Sequence, residues 1–92
     1  MTRADIINEV EKVFNVRYGW SMSYDNGTML TDYTLYYNRR ARKPLAWLQI
    51  GFVCETNEII TGCISYNKNG ERICEEINTI EDIAEILKKV AS

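Results

Sequence analysis

At 92 residues, 46% hydrophobic and 26% charged, the chain is larger than the size at which a hydrophobic core alone fails and smaller than two domains, so one domain over residues 1–92 is expected. One proline, five glycines and no biased tract exclude long disordered stretches. The net charge of −2 hides a polarity, because the stretch between Asp32 and Glu55 carries only Arg39, Arg40, Arg42 and Lys43, whereas from Glu71 onward six acids meet three bases; such bipolarity bears on partners and not on fold.

The first predicted element is a helix over residues 2–16, where Ile6, Ile7, Val10, Val13 and Phe14 form one apolar stripe. Thr2 followed by Asp5 is a variant of the capping box at its start. The period then changes to two. Tyr18, Trp20, Met22 and Tyr24 alternate with small residues up to Asn26-Gly27, the strongest short-range hairpin signal. A two-residue turn there sets Trp20 opposite Tyr33 and Tyr18 opposite Leu35, which gathers nearly every large side chain of both strands on one face.

A third strand is expected over Leu45 to Cys54, with Ala46, Leu48, Ile50 and Phe52 on its apolar side. A three-residue loop, Glu55 to Asn57 with Asn57 left-handed, pairs Leu48 with Ile64 and Phe52 with Ile60. Gly51 and Gly62 fall inside strands, where a bulge or a closely packed helix is the usual reason. The second Asn-Gly, Asn69-Gly70, pairs Tyr66 with Ile73 and opens a short fifth strand. Residues 79–91 close the chain as a helix, with Ile80, Ile83, Ala84, Leu87 and Val90 on one face and Thr79 with Asp82 as its cap. The sum is an α+β domain: an antiparallel meander of four to five strands bracketed by two helices that cover its apolar face.

Chemistry is sparse. The absence of histidine removes the usual general base, the usual zinc ligand and every Ser-His or Cys-His nucleophile pair. The isolated glycines form no phosphate loop. Asp25, Asp32, Glu55 and Glu58 are the carboxylates left for acid and base work, yet each lies beside a turn or on the polar face. Cys54, Cys63 and Cys74, 9 and 11 positions apart, are odd in number and include no CxxC pair, so they read as reduced, buried small hydrophobes. No enzymatic activity, cofactor, metal or internal disulfide is expected. The longest apolar run, Leu45-Ala46-Trp47-Leu48, is far short of the roughly 20 residues that span a bilayer, and no signal-peptide core is present, so a cytoplasmic protein without a membrane partner is expected.

One segment carries functional colour. If the second and third strands pair Tyr36 with Trp47 and Tyr37 with Ala46, an aromatic pair lies beneath the loop Arg39 to Pro44 with its cations Arg39, Arg40, Arg42 and Lys43. Guanidinium groups fork onto carboxylates or phosphates, and flat rings accept side chains or bases. In order of elements the chain resembles small bacterial or phage accessory proteins that inhibit or regulate a larger partner. It also resembles the double-stranded-RNA-binding domain, whose basic carboxy-terminal helix is missing here. With six tyrosines and two tryptophans, a protein-binding module of the inhibitor, immunity or regulatory kind is the expected function, with nucleic-acid binding through the basic loop as the alternative. Leu45, Trp47, Val53 and Ile59, placed on the face opposite the core, suggest a homodimer.

Overall fold

The computed structural model describes residues 1–91. Its elements run α1 (Arg3–Glu11), β1 (Asn15–Ser23), β2 (Thr28–Tyr36), β3 (Ala46–Val53), β4 (Ile59–Lys68), β5 (Glu71–Glu76) and α2 (Ile80–Ala91). The five strands form one antiparallel sheet in the order β1-β2-β3-β4-β5. An α+β meander bracketed by helices is therefore what the periodicities predict.

Both helices begin as their caps dictate. The Asp5 carboxylate accepts from the Thr2 N–H at 2.8 Å while Thr2 Oγ1 accepts from the Asp5 N–H at 3.3 Å, so two otherwise orphaned donors are satisfied. The Thr2 N–H first, and then the Thr2 hydroxyl, hold the Asp5 carboxyl below its usual pKa. At α2 the Asp82 carboxylate accepts from the N–H groups of Asn78 and Thr79, each at 2.9 Å. Helix α1 is shorter than its apolar stripe. The N–H groups of Val13 and Phe14 both fall back on the Val10 carbonyl and the chain enters β1 at Asn15, leaving Phe14 buried and Val13 51% exposed.

Ile6, Val10 and Phe14 from the first helical segment and Ile83, Ile86 and Leu87 from α2 share one buried cluster with Leu35, Leu48, Ile50 and Ile64 of the central strands. Both helices thus cover the same face of the sheet. Gly62 lies beneath Ile6 and Ile77: a Cβ there would sit at ordinary contact distance, 3.5 Å from the Ile6 Cδ1 and 3.7 Å from Ile77. The far end of α2 is tied to the sheet by Lys89, whose ammonium donates to Glu75 at 2.7 Å while the Tyr66 hydroxyl donates to the same carboxylate at 2.6 Å.

The two Asn-Gly pairs make different turns. Asn69 and Gly70 have φ of 53° and 82° with Lys68 opposite Glu71, the expected two-residue hairpin turn, and Tyr66 faces Ile73. At the first hairpin only Gly27 is left-handed, with φ of 81°. The Gly27 N–H donates to the Tyr24 carbonyl and the Tyr24 N–H to that of Thr28, so Asp25, Asn26 and Gly27 form a three-residue loop of the bulged kind. Asn26 Oδ1, accepting from the N–H and hydroxyl of Thr28, secures this alternative.

The register moves accordingly. Met22 faces Leu30 and Trp20 faces Asp32; past a bulge at Gly19, Tyr18 faces Tyr33 and Val16 faces Leu35. Trp20 and Tyr33 therefore lie on opposite faces, which overturns the pairing expected from a two-residue turn. The β3–β4 hairpin keeps Leu48 opposite Ile64, but a bulge beside Gly51 pairs Phe52 with Ile59 and leaves Ile60 58% exposed. Asn57 is left-handed as expected, with φ of 61°, in a loop of four residues and not three, since the Val53 N–H donates to the Glu58 carbonyl. Among the described residues no helix is long and apolar enough to cross a membrane.

Candidate interaction surface

Because both helices lie on one side, the other face of the sheet has no cover. Alternation places Arg17, Trp20 and Met22 of β1, Leu30, Asp32, Thr34 and Tyr36 of β2, and Trp47, Gln49 and Val53 of β3 on this open face, and none of them is buried. Trp20 and Met22 are 42% and 48% exposed. A contiguous, half-exposed aromatic and aliphatic field on a small domain is the sort of surface that marks an interaction site.

Tyr36 and Trp47 both sit on this face, but not as a cross-strand pair. Thr34 lies opposite Trp47, and Tyr36 faces Asn15 across β1. The expected pairing required β2 to run on through Tyr37; the strand ends at Tyr36 with Leu35 opposite Ala46, and the Leu45 N–H closes the longer loop on the Leu35 carbonyl at 2.8 Å. Each ring is capped by a cation instead. The Arg17 guanidinium lies 3.7 Å from the Tyr36 ring centroid and that of Arg72 lies 4.1 Å from Trp47, within the range of cation–π attraction.

The loop over residues 37–45 stands at the end of this face. Arg39, Arg40, Arg42 and Lys43 are all exposed, and among the described residues none of the four takes part in an ion pair. Their backbone is nonetheless held. Asn38 Oδ1 accepts from the N–H groups of Arg40 and Ala41, both at 2.9 Å, an Asx-type turn. From below, Arg17 Nη2 donates to the carbonyls of Asn38, Arg39 and Ala41 at 3.4, 3.0 and 2.9 Å, and its Nε donates to Asn15 Oδ1 at 3.0 Å. Arg17 thus spends its charge on the loop backbone and leaves the four loop cations facing outward. Sequence reasoning missed it, since a single arginine in a strand carries no local signal; its partner carbonyls are more than 20 positions away.

The cysteines are less buried than their type suggests. Cys54 and Cys74 are exposed and Cys63 is half-buried, all three as free thiols. Cys54 lies in the β3–β4 loop, and Cys63 and Cys74 sit on the open face, so no core position was available to them. Burial first, and then a hydrogen bond with Cys74, push the Cys63 thiol up to about 11, which leaves it protonated and a poor nucleophile at neutral pH. Leu45 and Ile59, expected on the face opposite the core, pack against the core cluster; of the four residues that suggested a dimer only Trp47 and Val53 are on the open side.

One cleft of about 290 Å³, open to solvent, lies near Met1, Glu58, Ile60 and Asn78. Glu58 there faces the amino-terminal ammonium at 3.5 Å. Among the described residues no cluster of His, Cys, Asp or Glu has the arrangement of a metal site. Comparison of the chain with protein-family models, with curated proteins and with solved structures returned no match.

Proposed function

We propose that the chain is a small non-enzymatic protein-binding module, of the inhibitor, immunity or regulatory kind found in bacteria and phages, that receives an acidic region of a larger partner on its open sheet face. The supporting observation is the juxtaposition of a sheet face that no helix covers, with Trp20 and Met22 exposed on it, and four outward cations on a loop whose backbone is pinned by Arg17 and Asn38. Rim cations raise the rate of encounter with an anionic surface, and the aromatic field supplies the desolvated contact that slows departure. A pinned loop loses little entropy on binding, so more of the contact energy survives as affinity.

The same loop could take nucleic-acid phosphates. Against it stand the rings themselves: Tyr36 and Trp47 already hold guanidinium groups against their faces, so neither offers a free plane for a stacked base. Capture from a native-type lysate with the parent chain, and in parallel with Arg39, Arg40, Arg42 and Lys43 all replaced by alanine, tests the proposal. A protein held by the parent and lost by the variant is the expected result. Retention of nucleic acid in place of protein, with affinity falling steeply as salt rises, would favour the alternative.

A further inference from the structure

The two edges of the sheet are unlike each other. β5 is six residues long, and Glu71, Arg72, Glu75 and Glu76 fill most of it, the usual protection of an edge against pairing with another chain. β1 is nine residues long, and its only charged residue is Arg17, which is engaged with the loop. From Tyr18 to Tyr24 there is neither a charge nor a proline, and Tyr18, Trp20, Met22 and Tyr24 are 65%, 42%, 48% and 47% exposed.

The sequence of that edge is self-complementary. Trp20-Ser21-Met22-Ser23-Tyr24 reads aromatic, serine, methionine, serine, aromatic in either direction. We infer that β1 pairs with β1 of a second copy of the chain, antiparallel about a two-fold axis at Met22, to join two sheets edge to edge. In that register Met22 faces Met22 of the partner copy, each Trp20 faces a Tyr24, and each Ser21 faces a Ser23.

Backbone geometry supports the same register. The Tyr24 N–H points inward to the Thr28 carbonyl; by the alternation of an antiparallel ladder, Met22 and Trp20 also turn inward, while the N–H and C=O groups of Ser21 and Ser23 point to the open side. Those two residues oppose each other across the axis and exchange both backbone hydrogen bonds. Trp20 and Tyr24 then form an aromatic cross-strand pair on each side of the methionines, a contact that adds to the ladder. The bulge at Gly19 ends the flat segment and limits pairing to these five residues. The occupant is a second copy and not an arbitrary peptide because a palindromic pattern is what a two-fold axis requires. The inference does not depend on the basic loop or its partner.

Sedimentation equilibrium over about 1 µM to about 1 mM, where small interfaces dissociate, should show a monomer–dimer equilibrium for the parent. Met22→Lys opposes two ammonium groups at the axis and should weaken the dimer by about tenfold or more. Ser23→Pro removes an outward donor that serves no bond within the chain, as tolerated on edge strands, and should give a monomer with an unchanged circular-dichroism spectrum. Met22→Cys, mildly oxidised, should give a disulfide between the introduced thiols of the two copies, identifiable by mass spectrometry, since non-hydrogen-bonded antiparallel partners approach to about 4.5 Å between Cα atoms. The inference is overturned by a parent that stays monomeric across the range, or by a dimer that is indifferent to Met22→Lys and whose Met22→Cys form yields no such cross-link.

Discussion

Replacing Arg17 by alanine removes a side chain that ties the sheet face to the carbonyls of the basic loop. Its two good bonds to carbonyls, at 3.0 and 2.9 Å, are charge-assisted, but the site is half-exposed; about 1 kcal/mol each is the appropriate scale, with the 3.4 Å contact adding little. Loss of the stack on Tyr36 adds about 0.5–1 kcal/mol. The sum, about 2–3 kcal/mol, corresponds to a fall in melting temperature of roughly 10–20 °C for a domain of this size. Arg17→Lys should recover less than half, because an ammonium keeps the charge but neither forks onto neighbouring carbonyls nor stacks flat. Urea unfolding gives the energy, and 15N relaxation of residues 38–41 shows whether the loop loosens. A cost below about 0.5 kcal/mol, with rigid amides at Arg40 and Ala41, would refute the pinning role and return Arg17 to the class of ordinary surface residues.

Gly27→Ala and Gly70→Ala should each destabilise by about 1 kcal/mol, since a Cβ at either position meets nothing within 4 Å and the penalty is that of a left-handed backbone alone; equal costs in urea titrations are the expected outcome. Bonds from Lys89 and Tyr66 hold the Glu75 carboxyl below its usual pKa, so its contribution to stability is present above the unfolded carboxylate value of about 4.3 and is lost as pH falls through the lower folded value. Glu75→Gln should flatten that acid limb, as unfolding free energies on both sides of it would show. Alkylation near pH 8 followed by peptide mapping should find Cys54 modified well before Cys63, whose thiol lies at about 11; equal rates would show that burial does not govern the pair.

The order of elements was legible because each left a local signature. Alternation gave the strands, Thr2 with Asp5 and Thr79 with Asp82 gave both helix starts, and Asn69-Gly70 gave its turn. Register was less legible at the first hairpin, where Asn26-Gly27 permits either a two-residue turn or a three-residue loop. The choice rests on Asn26 accepting two bonds from Thr28, which dipeptide chemistry alone does not specify. Gly19 was the overlooked sign: a glycine inside a strand marks a bulge, and this one sets Tyr18 opposite Tyr33 and Val16 opposite Leu35 after the three-residue loop has placed Trp20 on the open face. The side of the sheet taken by each helix was not legible because both faces carry apolar residues; in the fold both pack on the face of Leu48, Ile50 and Ile64. Of the site, the loop cations and the presence of Tyr36 and Trp47 on one face were readable, whereas their caps, Arg17 and Arg72, depend on contacts across strands.

The most direct measurement is a calorimetric titration of the partner recovered by capture against three chains: the parent, the Arg39/Arg40/Arg42/Lys43→Ala variant, and Lys88→Ala on α2, whose Lys88 is exposed on the helical side. Loss of binding by tenfold or more in the loop variant, at unchanged melting temperature, with the α2 variant equal to the parent, is the predicted result. Equal affinity of the loop variant and the parent, or a loss confined to Lys88→Ala, would place the working surface on the helices and contradict the assignment of the open face.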